Sequence, residues 1–208
     1  MCNAGVMATP ATLSKDGYEM QFATNHLGHA LLTKLLLPTM LSTPSPDVRI
    51  VNLSSVAYRI STPSSGIEFS KLRTAGANYG SLLSFNKWAC YSQSKLSNLL
   101  YTTQLAEHHP NITSVAVHPG FIKTTLHQNE GFMDRQVVSY LAAGKWLSTE
   151  EGAYNQVWAA TTAKEGLVNG AYYEPVGVKT TPTNRQGKDM KLAKELWEYT
   201  ERELEKWV

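Results

Sequence analysis

The chain has 208 residues, of which 42% are hydrophobic and 17% are charged, and its formal net charge is +2. This length suffices for one domain over residues 1–208 with a sizeable core, and no linker-like stretch divides it. The charge is too small, and the basic residues too scattered, to favour a nucleic-acid partner. Two cysteines do not make a disulfide framework and no apolar run is long enough for a membrane span, so we expect a cytoplasmic protein.

The N-terminal part predicts a short polar opening followed by a helix. The chain opens with Asn3-Ala4-Gly5, and a helical region is predicted from about residue 15 to residue 41, ending near Pro38. Asn25 lies in the apolar part of this region, where a capping or kinking role is an alternative to a functional one. Apolar side chains at helical spacing form either core or a dimer surface: Leu27, Leu31 and Leu35.

Two buried strands are predicted, each followed by small or polar residues. Residues 48–53 are rich in β-branched side chains and precede Ser54 and Ser55, and residues 113–118 precede Pro119-Gly120. In an open α/β sheet, ligands bind beyond the carboxyl ends of the strands, so both turns should face one crevice. Taken alone, Ser55 could be an ordinary strand-end residue and Pro119-Gly120 an ordinary loop.

Tyr91 and Lys95 lie four residues apart, which places both side chains on one face of a helix. An ammonium about 4 Å from a phenol favours the phenolate by roughly 4 kcal/mol at an effective dielectric constant of ~20. Such a neighbour would bring the pKa of the phenol towards neutrality, where it can exchange a proton with a substrate. A Tyr-x-x-x-Lys pair is common in helices, so the pair alone does not establish a site.

Three further segments and one pair of histidines bear on function. Residues 60–88 form a polar stretch that is either a lid or substrate wall or a tolerated surface insertion. Residues 126–146 are apolar enough to line a substrate pocket, and residues 188–208 predict an amphipathic helix that docks on its own domain. His26 and His29 share a helix, but they lack carboxylate or thiolate partners at ligand spacing, so no metal site is predicted.

In this order, these residues resemble the short-chain dehydrogenase/reductase family, most closely its retinol-dehydrogenase-like branch. Asn3-Ala4-Gly5 is similar to the end of the family's Asn-Asn-Ala-Gly signature, with Cys2 in place of the first Asn. The residues that match the family's catalytic tetrad are Asn25, Ser55, Tyr91 and Lys95. Those that match its nicotinamide-side loop are Pro119, Gly120, Ile122 and Thr124. Glu151-Gly152-Ala153 resembles the start of the next helix, and Gly170-Ala171-Tyr172-Tyr173 the last sheet strand.

The resemblance implies an α/β fold, the C-terminal part of a doubly wound, Rossmann-like parallel sheet with flanking helices. It implies an NAD(P)-dependent oxidoreductase that transfers a hydride between nicotinamide and a lipophilic secondary alcohol, ketone or aldehyde. Tyr91 would be the general acid or base, Lys95 would bind the nicotinamide ribose, Ser55 would donate to the carbonyl oxygen and Asn25 would hold a relay water. Asn3, Ala4 and Gly5 would also contact the cofactor, NADP or NAD. A homodimer through the helices of Asn25 and Tyr91 is implied as well.

One part of the family pattern is missing from the sequence. No G-x-x-x-G-x-G turn precedes Asn3, although the family's fold begins with such a turn at the pyrophosphate site. We therefore expect a truncated domain that lacks the N-terminal glycine-rich half. Two alternatives stay open: a catalytically incompetent remnant, and a non-enzymatic protein that binds a partner through an exposed sheet edge or through the dimer helices.

Overall fold

The N-terminal helical region is built from three consecutive segments. In this computed structural model, which describes residues 1–75, 83–123, 138–139, 142 and 144–208, they are α1 (Met20–Phe22), a π-helical turn (Ala23–Leu27) and α2 (Gly28–Ser42). The Glu19 carboxylate caps α1 by accepting the backbone N–H groups of Gln21 and Phe22. The predicted end near Pro38 is wrong, because the helix continues through this proline. Leu37 and Met40 pack against the core on either side of it, and this contact holds the last turn in place.

A β-α-β unit follows and carries most of the candidate site. Strand β1 (Arg49–Leu53) is connected to the parallel strand β2 (Thr113–Val117) by the long helix α3 (Leu83–His108). The two strands pair in register from Arg49 beside Thr113 to Leu53 beside Val117. Both predicted strands are confirmed, and their carboxyl ends lie side by side.

The rest of the chain completes the sheet and covers it. Strands β3 (Phe121–Ile122) and β4 (Trp146–Leu147) form a separate parallel pair. The chain continues through α4 (Tyr154–Thr161), β5 (Tyr172–Glu174), β6 (Val178–Thr180) and α5 (Met190–Leu204). The described 3-10 turns are Val56–Arg59, Phe69–Lys71, Glu151–Ala153, Lys164–Gly166, Gln186–Lys188 and Glu205–Trp207.

The main sheet has the strand order β1-β2-β5-β6. The first three strands are parallel, as expected, but β6 is antiparallel to β5. The expectation that residues 170–173 form the last strand of the sheet is therefore wrong, because a tight turn at Gly177 returns the chain as one more edge strand. Cys2 extends the sheet on the other side: its N–H donates to Val51 O at 2.8 Å, and its carbonyl accepts Leu53 N–H at 3.2 Å.

Alternating strand residues build a core on each face of the sheet. Ile50, Ala116 and Tyr172 pack with α2, α3 and α5 on one face, whereas Val51 and Val117 pack towards α4 on the other. The sheet is thus covered on both faces, which is the doubly wound architecture that the resemblance implies. The loop after Ser55 is also packed, since Ile67 and Leu72 belong to the first core.

The final helix docks on its own domain, as predicted. Leu192, Leu196 and Leu204 are buried along one face of α5, which packs against α3. None of the helices in the described part of the chain is long and apolar enough to cross a membrane.

His26 links the π-helical turn to α5 from inside the core. Its side chain is 1% exposed, packs against the rings of Phe22 and Tyr101, and shares a 2.9 Å hydrogen bond with Thr200 Oγ1. Burial lowers its pKa to about 3; a hydrogen bond with Asn98 opposes this shift, and the nearby His29 adds to it. The folded chain therefore holds a neutral imidazole where the unfolded chain would bind a proton below about pH 6.5.

We predict that this histidine makes the fold acid-sensitive. Stability from a group whose pKa is depressed on folding is complete above the unfolded pKa and is lost as the pH falls towards the folded one. The free energy of unfolding should thus fall between about pH 6.5 and pH 3, and His26→Gln should flatten that slope. Urea denaturation across this range tests this, with the exposed His108→Gln as control. Equal slopes for the wild type and His26→Gln would contradict the prediction.

Candidate active site

The carbonyl oxygen of Leu53, the last residue of β1, is the point at which α3 is fixed to the sheet. It accepts hydrogen bonds from Lys95 Nζ at 3.2 Å and from Asn98 Nδ2 at 2.9 Å. One residue later, Ser54 Oγ donates to the Lys95 carbonyl at 2.7 Å. Ser54 is therefore a structural contact between strand and helix. These bonds hold the Lys95 turn of α3 at the carboxyl end of β1.

Lys95 is buried in this position, with 6% of its surface exposed. Desolvation disfavours the charged ammonium and lowers the pKa of Lys95 to about 8. The Nζ atom lies 5.7 Å from the centre of the Tyr91 ring, one helical turn earlier. The two side chains share one face of α3, as their spacing predicts, and a single hydrogen bond to Leu53 O leaves Lys95 with two further N–H donors.

Tyr91 packs in a small apolar cluster, and Ser55 is hydrogen-bonded to one member of that cluster. The buried Tyr91 ring packs with Met7, Ala8 and Ala57, and the indole of Trp88 lies edge-on at 6.2 Å. Ser55 Oγ accepts the backbone N–H of Ala57 at 3.2 Å and so caps the 3-10 turn that begins at Val56. This bond uses a lone pair of the hydroxyl and leaves its proton able to donate. Ser55 thus sits next to the residue that packs on the Tyr91 ring.

Asn25 connects the N-terminal segment to α3. Its Oδ1 accepts Val6 N–H at 2.8 Å, and its Nδ2 donates to Val6 O and to Ser94 Oγ, each at 2.9 Å. Gly5 lies close by: a Cβ added there would be 3.0 Å from Asn25 Oδ1 and 3.7 Å from Lys95 Nζ. The structure therefore brings Gly5, Asn25 and Lys95 together, and a side chain at position 5 would be tightly packed against Asn25.

The remaining predicted cofactor residues fall in two places. Asn3, Ala4 and Gly5 are exposed at the opening of the chain, before the buried Met7. Pro119 and Gly120 follow β2, where Gly120 has a φ of 96° and an added Cβ would lie 2.5 Å from Leu147 Cδ1.

Ile122 is the last of the predicted residues after β2 that the structure describes. It lies in β3, so close to Gly152 that a Cβ on Gly152 would be 2.2 Å from Ile122 Cδ1. Thr124 lies outside the described residues.

Most of the segment predicted to line a substrate pocket also lies outside the described residues. Of residues 126–146, those described are 138–139, 142 and 144–146, with Trp146 in β4. Within the described part of the chain, no group of three or more His, Cys, Asp or Glu side chains is placed to hold a metal ion.

Two residues at the site were not singled out from the sequence. Asn98 shares Leu53 O with Lys95, and its spacing of three residues from Lys95 on α3 was the available signal. His118 directly follows β2, is 5% exposed, and its Nδ1 has no hydrogen-bond partner. Burial and the nearby cations Arg59 and Lys95 lower its pKa to about 3, so this imidazole is neutral. Its place at a strand's carboxyl end, just before Pro119, was the signal.

The buried ammonium of Lys95 should reduce the stability of the fold in a pH-dependent way. Because the folded pKa of about 8 lies below the ordinary 10.5, protonation of Lys95 opposes folding below pH 8, and this penalty disappears as the pH rises to 10.5. Its full size is roughly 3 kcal/mol. Lys95→Met should gain stability relative to the wild type below pH 8, and this gain should shrink towards pH 10.5.

The measurement is the free energy of unfolding of the wild type and of Lys95→Met in denaturant, at intervals between pH 7 and pH 10.5. Lys194→Met, on the exposed side of α5, is the control and should give a constant difference. A difference between Lys95→Met and the wild type that does not change with pH would show that the ammonium carries no such penalty.

Comparison with known proteins identifies relatives along the whole chain. No family model matches the sequence. It is 38% identical over 205 residues to the chloroplastic short-chain dehydrogenase TIC 32 A of Brassica napus, an alignment that covers 95% of this chain and 61% of the relative. It is 32% identical to the short-chain dehydrogenase/reductase drtF of Aspergillus calidoustus, over 98% and 67% of the two chains. It is 35% identical to retinol dehydrogenase 14 of Mus musculus, over 96% and 56%.

The fold is shared with solved structures as well. A crystal structure of a protein from Mycobacterium Paratuberculosis superimposes with a TM-score of 0.67 and 30% identity, over 96% of this chain and 64% of that one. The chain thus spans about three fifths of the length of the first relatives that it matches. With this agreement of sequence and fold, the chain belongs to the short-chain dehydrogenase/reductase family.

Proposed function

We propose that this protein is an NAD(P)-dependent oxidoreductase that transfers a hydride between nicotinamide and a lipophilic secondary alcohol, ketone or aldehyde. The observation that carries the proposal is the placement of Tyr91 and Lys95. Both lie on one buried face of α3, beside the end of β1, and a Cβ added at the exposed Gly5 would lie 3.7 Å from Lys95 Nζ.

The residues at the site fit the nicotinamide half of a dinucleotide. Lys95 has two N–H donors beyond its bond to Leu53 O, which suits the paired hydroxyls of a ribose. Gly5 presents a backbone that no Cβ screens, next to the Lys95 amine. We propose that Asn3, Ala4 and Gly5 hold the cofactor on one side of Lys95, and Pro119, Gly120, Ile122 and Thr124 on the other. The choice between NADP and NAD is part of the test below.

A bound nicotinamide would supply or accept the hydride. The residues of the chain handle the proton that accompanies it. In the reductive direction, Tyr91 would give its phenolic proton to the substrate oxygen, while the Ser55 hydroxyl donates to the same oxygen as negative charge develops there. Lys95 would stabilise the phenolate that remains, and the phenolate would regain a proton from solvent through water held near Asn25. In the oxidative direction each transfer runs backwards.

The substrate class is inferred from the relatives. Relatives named retinol dehydrogenases match this chain at 34–36% identity, and retinol is a long apolar alcohol. Met7, Ala8 and Trp88 give the Tyr91 ring apolar neighbours, which suits a substrate with little polarity around the reacting carbon.

A cytoplasmic location remains a prediction from the cysteine content; cell fractionation tests it, and recovery in a plastid or membrane fraction would contradict it.

The alternatives remain distinguishable from this proposal. A catalytically incompetent chain would keep the tetrad geometry but bind neither cofactor in a calorimetric titration with NADPH and NADH. A protein that only binds a partner would behave in the same way, and it would also co-purify with that partner in stoichiometric amount.

Removal of the Tyr91 hydroxyl should abolish turnover without unfolding the chain. Tyr91→Phe keeps the ring that packs on Met7, Ala8 and Ala57, so stability should change by less than about 1 kcal/mol. Turnover of a lipophilic ketone with NADPH or NADH should fall by at least ~10³-fold, because the proton donor is lost. Tyr101→Phe is the matched control: it is buried on the same helix, ten residues away, and should retain activity. Retained activity in Tyr91→Phe would require another acid and would overturn the assignment.

The family resemblance also leads us to propose a homodimer through α2 and α3. Leu32, Leu35 and Leu36 are about half exposed on α2, an apolar surface that a second copy would cover. Leu36→Asp should therefore move the sedimentation coefficient from dimer to monomer. A wild-type chain that sediments as a monomer at micromolar concentration would contradict the proposal.

A further inference from the structure

Gln21 is a buried amide whose two ends are both occupied. Its side chain is 1% exposed. Oε1 accepts the backbone N–H of Ala8 at 3.0 Å, and Nε2 donates to the Lys87 carbonyl at 2.8 Å. One side chain of α1 thus connects the N-terminal segment to α3.

The two residues that Gln21 joins both bear on Tyr91. In an α-helix the N–H of Tyr91 is directed at the carbonyl four residues earlier, which is that of Lys87, so Gln21 bonds the turn that carries the phenol. At its other end, Ala8 packs directly in the cluster around the Tyr91 ring. Gln21 therefore constrains both the turn of α3 that precedes Tyr91 and the position of Ala8 against the Tyr91 ring.

Ala8 has a conformation that requires such support. Its φ is +49°, in the left-handed region, where a residue with a Cβ loses roughly 1–2 kcal/mol. Ala8 is also almost fully buried, with 1% exposure. A strained, buried residue persists only where surrounding contacts hold it, and its N–H is held by Gln21.

Asn25 makes an equivalent connection one turn further along. It bonds Val6 in the N-terminal segment and Ser94 in α3, and Ser94 Oγ in turn donates to the Tyr91 carbonyl at 2.8 Å. The two amides are therefore parallel bridges between the same two pieces of chain, one on each side of Tyr91. Asn25 matches a tetrad residue, whereas Gln21 has no assigned role.

We propose that Gln21 is a positioning residue for the reaction: through Ala8 and the Lys87 carbonyl, it fixes where the Tyr91 phenol stands. The inference rests on the proposed function for its consequence, since an oriented phenol affects rate only if Tyr91 transfers the proton. Gln21 itself touches neither substrate nor cofactor in this scheme.

The test compares Gln21→Met, which keeps the length of the side chain and removes both hydrogen bonds, with Gln104→Met. Gln104 is 2% exposed and lies on α3, the helix of Tyr91, 13 residues or about 20 Å further along it. For Gln21→Met we expect kcat to fall by about 10- to 100-fold, with KM for both substrates within about threefold of the wild type. For Gln104→Met we expect kcat within about twofold, at a comparable loss of thermal stability.

Adding Ala8→Gly should recover part of the lost kcat. Glycine adopts the left-handed conformation without the steric cost, so its position depends less on the bond from Gln21. A double variant that is no faster than Gln21→Met, or equal kcat values for Gln21→Met and Gln104→Met, would overturn the inference.

A second readout does not depend on turnover. With tyrosine labelled by ¹³C at Cζ and the signal assigned by its absence in Tyr91→Phe, the Tyr91 resonance should move in Gln21→Met and stay in place in Gln104→Met. If the wild type shows no turnover but the resonance moves, the proposed function fails and the positioning stands. If the wild type turns over and the resonance is unmoved in Gln21→Met, the positioning fails and the function stands.

Discussion

The candidate site depends on the hydrogen bonds at the carboxyl end of β1. Apolar burial is non-directional, so by itself it does not select one rotation of the helix that crosses between two parallel strands. Here Leu53 O takes bonds from two side chains of α3, Ser54 returns one to the helix backbone, and Asn52 Nδ2 reaches Thr102 Oγ1 at 2.9 Å. These bonds are directional, so they fix the rotation of α3 and with it the direction of Tyr91 and Lys95.

The polar side chains that fix the orientation of α3 are buried, and their desolvation costs free energy. α3 buries several polar side chains, among them Ser94, Asn98 and Thr102. Burial of a polar group costs free energy unless it is hydrogen-bonded, whereas an apolar side chain has no such requirement. Most of these groups are paired, so the cost of desolvation is largely offset. The exception is the Lys95 amine, which has donors to spare, and a buried cation with unused donors is what a ligand with hydroxyl groups can satisfy.

Much of this was visible in the sequence, and the failures have physical causes. The two parallel strands and the docking of the final helix follow from apolar patterning, which reports burial directly. The helix of Tyr91 and Lys95 was predicted from their spacing of four residues. The end of α2 was misplaced because a proline near the last turn costs less than the packing of its neighbours gives back. Strand β6 was missed because it is short and exposed, with no alternation of apolar residues. Gln21 and Asn98 could not be ranked, since an isolated buried amide looks like any surface amide until its partners are known.

The π-helical turn at Ala23–Leu27 makes the number of residues in this region as important as their identity. The N–H of Gly28 returns to the carbonyl of Ala23, five residues back, so the turn accommodates one residue more than an α-helix would. Loss of one residue here would let ordinary helix replace the wide turn. Because the wide turn takes up its extra residue locally, α1 and α2 would keep about the same relative orientation, and the change would fall on the turn itself, which carries Asn25. An evolutionary deletion in this stretch would thus disturb the bonds from Asn25 to Val6 and Ser94 even though every residue of α1 and α2 were kept.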